Sequence, residues 1–352
     1  MDLEHFPYSS WKKLTVQSLY YDNSQLFLNG DSKGEFELRE EITKYLFQSR
    51  GVRSSPDQII IGAGTQYLIE LLCKLIGNEP IYAMEDPGFH RTRIVFNDQN
   101  VKITQIPLDV DGISIKSLKE SNARVVYVTP SHQFPTGKIM PIARRTELLK
   151  WAEQNSGYII EDDYDGEFRY KGKPIPSLQG LDSEGRVIYL GTFSKSFIPS
   201  MRLSYIVLPR TLLAKYDDHF NIYKQTVSRL HQHTLSQFMQ KGYWKSHLNK
   251  MRVVYRKKQK VLVSAIKQHM ADKIAIIGEE SGLHILLKVQ NNMSETELIK
   301  TAKKQKVKVY PTSIYYNKHE KDQTPMVLLG FGGLTESEIE EGIKLLSKVW
   351  FN

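Results

Sequence analysis

Short apolar runs alternate with amphipathic helical stretches between residues 58 and 208, and this alternation constrains the fold more than any other feature of the chain. In the helical stretches, such as residues 142–154, apolar side chains recur three and four positions apart. Strands joined through helices pair in parallel, because the helix returns the chain to the same end of the sheet. The sequence therefore predicts an α/β fold with a mainly parallel sheet and flanking helices. The predicted strands are residues 58–63, 81–84, 124–129, 158–161, 187–191 and 203–208.

The pattern changes after residue 243. A long charged helical stretch at 244–270 leads to alternating runs at 282–289 and 306–310, and a helix at 336–350 closes the chain. This order is typical of a small α+β domain. We predict three parts, listed by residue number: an N-terminal segment that packs with the small domain (1–35), a large domain (36–243) and the small C-terminal domain (244–352).

Composition excludes several classes of protein. The 352 residues are 40% apolar, enough for two cores, but they contain no apolar run of about 18 residues and begin without a signal peptide. We therefore expect a cytoplasmic protein with no membrane partner. Cys73 is the single cysteine, which excludes disulfide frameworks and cysteine-based zinc sites. The net charge of +9 is concentrated in patches such as 255–260 and 303–308, which solvated helix faces explain.

Lys195 lies in a small-residue turn at the end of a predicted strand, and Arg202 follows seven residues later. An amine whose pKa is lowered by burial or nearby positive charge attacks aldehydes, and a fixed guanidinium holds a phosphate. Pyridoxal phosphate (PLP) presents both an aldehyde and a phosphate. The alternative is a solvated lysine in an ordinary polar turn.

Two further strand ends carry polar groups that suit the same ligand. At Gly64, Thr65 and Gln66 a strand passes into a helix, so the backbone amides would face an anion, although ordinary tight turns have similar sequences. The strand at 158–161 ends in carboxylates at 161–165. One of them would favour the protonated pyridine of PLP, or the pair would cap the next element.

A loop rich in proline and glycine, residues 128–138, follows another strand and suits a ligand wall. The order and spacing of these pieces resemble the fold-type-I aminotransferases, with their seven-stranded-type sheet. More narrowly, they resemble the aminotransferase-like effector domain of the MocR/GabR family of bacterial transcription regulators. The resemblance spans nearly the whole chain. Its motifs are the glycine turn at 60–67, Glu-Asp-Pro-Gly-Phe at 85–89, Pro-Ser-His-Gln-Phe-Pro-Thr-Gly at 130–137, Glu-Asp-Asp-Tyr-Asp at 161–165 and Gly-Thr-Phe-Ser-Lys at 191–195.

The resemblance implies a role for individual residues. Lys195 would form the internal aldimine with PLP, Asp162 would pair with the pyridine nitrogen, and Tyr164 would reach the phenolic oxygen. Arg91 and His132 would contact the effector, with a structural hydrogen bond as the alternative for His132. The remaining cofactor groups are a ring that stacks on PLP (Phe89) and the phosphate ligands (Gly64, Thr65, Gln66, Thr192, Ser194 and Arg202).

Two departures from the enzymes stand out. Aminotransferases carry asparagine before the Pro-Thr-Gly of the loop, whereas this chain has Phe134, as the regulators do. In the closing strand, Gly333 falls where aminotransferases and the GABA-responsive regulator carry an arginine that binds the substrate carboxylate. Losing such a charged bidentate contact costs on the order of 2–3 kcal/mol, which disfavours an ordinary amino-acid substrate.

The resemblance, with these departures, implies a PLP-dependent sensor domain that dimerises with a second copy and responds to PLP itself or to an amine. A catalytically active aminotransferase is the alternative, and a dimerisation module with a vestigial site is a third hypothesis. The resembled regulators bind DNA through a winged-helix module that precedes this domain. No such module precedes Met1, so we expect DNA binding only through a module absent from this sequence.

Overall fold

A computed structural model describes residues 2–172, 175–317 and 325–351. Its larger sheet has eight strands in the order β1-β8-β7-β6-β5-β2-β3-β4. The strands are β1 (Ile59–Gly62), β2 (Ile81–Asp86), β3 (Lys102–Asp109), β4 (Gly112–Ile113), β5 (Val125–Val128), β6 (Tyr158–Asp163), β7 (Val187–Thr192) and β8 (Ser204–Val207).

The strand directions confirm the mainly parallel sheet that the sequence predicts. Four pairings, from β7 through β6, β5 and β2 to β3, are parallel, and the three involving β8 or β4 are antiparallel. All six predicted strands are present. Sequence analysis missed β3 and the two-residue β4, which bring the sheet to eight strands. The carboxyl ends of β2, β5, β6 and β7 therefore meet at one edge of the sheet.

Helices cover both faces of this sheet, because successive strand residues point to opposite sides. Ile60 of β1 packs with Leu68 and other apolar residues of α3, whereas its neighbours Ile59 and Ile61 pack with Leu38 of α2. The helices are α1 (Tyr8–Ser18), α2 (Phe36–Arg50), α3 (Thr65–Ile76), α4 (His90–Asp98), α5 (Ile115–Glu120), α6 (Ile142–Gln154), α7 (Leu178–Leu181), α8 (Arg210–His219) and α9 (Arg229–Gln240).

A second, antiparallel sheet has its own core. Its strands occur in the order β11-β12-β10-β9, and residues such as Leu287 and Val327 pack there against the helices that follow α9. The strands are β9 (Ile274–Ile277), β10 (His284–Val289), β11 (Tyr310–Pro311) and β12 (Met326–Gly330), and the helices are α10 (Tyr243–Met270), α11 (Glu295–Lys304) and α12 (Glu336–Phe351). Short 3-10 helices lie at Tyr21–Phe27, Pro56–Gln58, Pro199–Met201, Ala271–Lys273 and Ser313–Tyr315.

The N-terminal segment contacts both parts of the molecule. Phe6 and Leu14 pack in the core of the larger sheet, whereas Asp2 accepts a hydrogen bond of 2.7 Å from Lys258 of α10. The domain boundaries at residues 35 and 243 stay predictions. Among the described residues, no helix has both the length and the apolar character that crossing a bilayer requires.

Candidate cofactor site

The predicted cofactor residues lie at the carboxyl-terminal edge of the larger sheet. They belong to the ends of four strands, β1, β2, β6 and β7, so residues distant in sequence share one edge. The described positions are the start of α3 (Gly64, Thr65 and Gln66), the residue before α4 (Phe89), the end of β6 and its loop (Asp162 and Tyr164), and the end of β7 with the turns after it (Thr192, Ser194, Lys195 and Arg202).

Gly64 and Arg202 form a cradle of anion-binding character. Gly64 has φ +96°, and a Cβ placed there would lie 2.2 Å from Arg202 Nη2, so the guanidinium packs directly on the glycine. Arg202 has φ +51°, a left-handed conformation that costs energy for an arginine and is common at functional sites. No side chain caps the first amides of α3. These N–H groups and the guanidinium suit a phosphate.

Thr192 organises the turn that carries Lys195. Its hydroxyl oxygen accepts hydrogen bonds from Ser194 N at 3.1 Å and from Ser204 Oγ at 2.8 Å. Lys195 itself is exposed. Burial lowers the pKa of His284 well below its usual range, and the charge of Lys195, together with that of His132 when it is protonated, lowers it further. The lysine amine therefore acts electrostatically on His284 of β10, in the smaller sheet.

Asp162 is a buried carboxylate with an unused oxygen. The Tyr127 hydroxyl donates to its Oδ2, whereas Oδ1 has no partner. Burial raises the pKa of Asp162 from 3.8 to about 7, although the hydrogen bond from Tyr127 opposes the shift. A protonated pyridine nitrogen would supply both the missing donor and a compensating positive charge. The residue present thus fits the role that the resemblance implies.

Glu85, at the end of β2, is a second buried acid that sequence analysis did not assign. Its Oε2 accepts hydrogen bonds from Thr129 N at 3.2 Å and Thr129 Oγ1 at 2.9 Å, and its Oε1 has no partner. Burial raises its pKa to about 7. The only sequence signal was its place in the Glu-Asp-Pro-Gly-Phe motif.

Phe134 lies at the centre of an aromatic cluster. Its ring is parallel to that of Phe89, with centroids 4.1 Å apart and an interplanar angle of 5°. Tyr315 and His284 contact it at centroid distances of 4.7 Å and 5.4 Å. Phe134 therefore covers one face of Phe89, the ring predicted to stack on PLP, and joins it to residues around the smaller sheet.

Tyr164 and His132 contact each other beneath this cluster. The Tyr164 oxygen lies 2.9 Å from both the backbone oxygen and Nδ1 of His132. His132 is buried, so the structure shows the hydrogen-bonding alternative for this residue. Its predicted effector contact stays a prediction.

Arg91 and Gly333, the residues tied to effector binding, are both exposed. The charge of Arg91 opposes the burial that raises the pKa of Tyr315, so Arg91 acts on the edge of the aromatic cluster. Gly333 lies in the turn after β12, next to Gly332, whose backbone oxygen accepts a hydrogen bond of 3.3 Å from Lys258 Nζ.

A model of the aminotransferase class I and II family matches residues 2–345. The chain belongs to this family. Within it, the chain is 49% identical to the HTH-type transcriptional regulator YdeL of Bacillus subtilis, over 99% of this chain and 75% of YdeL. It is 33% identical to the probable rhizopine catabolism regulatory protein MocR of Rhizobium meliloti, over 98% of this chain and 70% of MocR. Both the fold class and the MocR/GabR type predicted from sequence are confirmed.

Solved structures of family members support the same fold. The kynurenine aminotransferase of Pyrococcus horikoshii, crystallised with PMP, superposes with a TM-score of 0.85 at 28% identity, covering 99% of this chain and 88% of the enzyme. Relatives of this chain therefore include both regulators and PLP-family aminotransferases.

Proposed function

We propose that this chain is the effector-sensing and dimerisation domain of a PLP-dependent bacterial transcription regulator. The observation that carries the proposal is the unpartnered, buried Oδ1 of Asp162 at the same sheet edge as the Arg202 and Gly64 cradle. The acid matches the pyridine nitrogen of PLP, and the anion-binding turn at the same edge matches its phosphate. The similarity to YdeL and MocR supports a regulator as the whole protein.

The chain supplies a group for each part of the cofactor. Arg202 and the first amides of α3 would hold the phosphate, Asp162 the pyridine nitrogen and Tyr164 the phenolic oxygen. Lys195 Nζ would attack the aldehyde carbon, forming a C=N bond with loss of one water. When bound, PLP supplies an electrophilic carbon and a ring that withdraws electrons.

The effector would be PLP itself or an amine that displaces Lys195. Phe134 and Gly333 replace two groups that aminotransferases use, an amide and a guanidinium. Arg91 is an exposed cation that acts on the edge of the aromatic cluster, where an acidic effector would meet it. The alternative, a working aminotransferase, is supported by the likeness to the kynurenine enzyme and by the cofactor groups at the sheet edge.

Titration with PLP, followed by a panel of amino acids, tests the proposal. We expect a visible absorbance band and an adduct on Lys195 that borohydride makes permanent, detectable by peptide mass spectrometry. Lys195→Ala should lose both. An unchanged band in Lys195→Ala would refute the assignment of the lysine, and keto-acid release over many turnovers would favour the enzyme.

We also propose a homodimer. Large apolar side chains project into solvent from separate stretches, including Phe27 (62% exposed), Phe47 (63%) and Ile222 (78%). A two-fold interface would remove such surface from water in both copies at once. Sedimentation at micromolar concentration should give a dimer, and a monomer would contradict this. DNA contact, in this proposal, belongs to the HTH part of the regulator, so the domain alone should not discriminate operator from random DNA.

A further inference from the structure

The proton positions around Tyr164 follow from its neighbours. A carbonyl oxygen only accepts hydrogen bonds, so the Tyr164 O–H donates to His132 O at 2.9 Å. A tyrosine has one hydroxyl proton, and therefore the second contact, at 2.9 Å, runs from His132 Nδ1–H to the Tyr164 oxygen. Asp165, whose Oδ2 lies 3.0 Å from the same Nδ1, accepts from it as well. The tautomer of His132 thus carries its proton on Nδ1.

The ring of His132 lies against two glycines, Gly137 in its own loop and Gly282 just before β10 of the smaller sheet. A Cβ on Gly282 would lie 1.9 Å from His132 Cε1, and one on Gly137 would lie 3.1 Å from Nε2. Gly282 has φ +71°, and its N–H donates to Phe168 O at 2.7 Å. Two glycines therefore hold the imidazole by close backbone contact, and neither place admits a side chain without movement.

His132, Asp165 and His284 are buried residues whose ligand atoms lie within 4.8 Å of one another, a spacing compatible with a metal ion. Most of their ligand atoms are already engaged within the protein, however. Asp165 binds His132 Nδ1, and His284 Nε2 lies 3.1 Å from Pro135 O. The free nitrogen, His132 Nε2, faces the two glycines. Hydrogen bonding explains this cluster better than metal binding.

We propose that His132 is a positioning residue, held by Asp165, that strengthens the hydrogen bond from Tyr164 to the phenolic oxygen of the cofactor. The inference rests on the proposed function, because it takes Tyr164 as the donor to PLP. When Tyr164 turns its proton from His132 O to that oxygen, the His132 Nδ1–H still donates into the tyrosine oxygen. A hydrogen bond received by the oxygen polarises its O–H and makes it a stronger donor.

The effect should appear in the pH midpoint of the visible absorbance of the PLP-loaded protein. In the loaded protein, the phenolic oxygen would share a proton with the nitrogen linked to Lys195. A hydrogen bond donated to that oxygen would make it a poorer acceptor for this proton, and so would lower the pH at which the proton is lost. A weaker donor therefore moves the midpoint to higher pH. The charged or titratable groups around Tyr164 and His132 are Asp165 after β6, Asp162 on β6, Tyr127 on β5, Glu85 on β2 and His284 on β10, and Lys195 after β7 acts on His284.

Three variants separate a positioning role of His132 from a merely structural one: His132→Leu, His132→Asn, and His132→Leu combined with Tyr164→Phe. His132→Leu should raise the midpoint by about half to one pH unit. His132→Asn, whose amide nitrogen takes nearly the place of Nδ1, should restore a midpoint close to that of the parent. In a Tyr164→Phe background, His132→Leu should cause no further shift, because the hydroxyl through which it acts is gone.

His132→Ala is the second variant if His132→Leu does not fold, since it also removes Nδ1–H but leaves room for a water that can donate to the Tyr164 oxygen in its place. We expect a smaller shift in the same direction. An unshifted midpoint in both variants, or a shift that persists in Tyr164→Phe, would overturn the inference. A parent protein without any Lys195-dependent band would instead refute the proposed function, so the two failures are distinguishable.

Discussion

Replacing Asp162 with asparagine tests whether this acid is the buried partner of the pyridine nitrogen. The substitution keeps the size of the side chain, and the Tyr127 hydroxyl can donate to the amide oxygen as it does to Oδ2. The substitution removes the negative charge of the carboxylate and replaces its oxygens, including the unpartnered Oδ1, with the oxygen and nitrogen of a neutral amide. Two effects of opposite sign follow, one on the empty protein and one on cofactor binding.

In the empty protein the substitution should be stabilising at high pH. Burial raises the pKa of Asp162 from 3.8 to about 7, so the folded state holds a proton that the unfolded chain releases. The stability contributed by that proton is present below pH 4 and is lost as the pH rises to 7. At 1.36 kcal/mol per pKa unit, the parent should lose roughly 3 kcal/mol relative to Asp162→Asn between pH 5 and pH 8.

Cofactor binding should change the other way. The variant loses a charge-assisted hydrogen bond worth about 1.5–3 kcal/mol, which corresponds to roughly a 10- to 100-fold rise in the Kd for PLP. Urea unfolding of the empty protein at several pH values measures the first effect, and absorbance titration with PLP the second.

Glu167→Gln is the matched control. Glu167 also has a pKa raised to about 7 by burial and an unpartnered oxygen, but it accepts its hydrogen bond from Tyr45. It should reproduce the pH-dependent stability and leave the Kd for PLP unchanged. An Asp162→Asn protein that binds PLP as tightly as the parent would refute the pairing with the pyridine. If the difference in unfolding free energy between the parent and Asp162→Asn does not vary with pH, the raised pKa of the buried Asp162 carboxyl is refuted.

Three other substitutions address the phosphate cradle and the two departures from the enzymes. Gly64→Ala should weaken PLP binding at least about tenfold by calorimetry, because its φ of +96° and the guanidinium 2.2 Å from a Cβ both oppose a side chain; wild-type affinity would contradict the cradle. Gly333→Arg should gain a spectral response to GABA that the parent lacks, unless the parent already responds at millimolar concentration. Phe134→Asn should increase keto-acid release in single-turnover assays, because it restores the amide that aminotransferases carry at this position, and an unchanged rate would contradict that role of the amide.

The central strands of the larger sheet could be predicted from sequence because β5, β7 and β8 are buried on both faces and mostly apolar, and β6 begins with an apolar run before its carboxylates. β3 could not, since it is mostly half-buried or exposed and contains Pro107, so its apolar run is interrupted. Of the predicted run at 306–310, only Tyr310 lies in a strand, because β11 is limited to the two residues that pair with β12, Tyr310 and Pro311.

Parts of the candidate site were predictable for a different reason. Gly64 and Lys195 follow strands and Asp162 lies near the end of one, and parallel strands bring their carboxyl ends together whatever the side chains are. Contacts between distant residues carry no such signal. His132 and Gly282 are 150 positions apart, and only the folded backbone shows that a ring lies against that glycine. The contact of Asp165 with His132 could not be predicted either, although both residues belong to motifs that carry the family resemblance.

Phe134 gives the physical argument for a sensor over an enzyme. An asparagine at this position would offer one hydrogen bond to a ligand in the site. The phenyl ring instead contacts Phe89 and Tyr164, which follow strands of the larger sheet, and also His284 and Tyr315 around the smaller sheet. A ligand that changes the packing of Phe89 must therefore change the packing between the two sheets. Closely packed interiors respond to such a change by shifting between discrete arrangements, and a regulator needs that response from its effector domain.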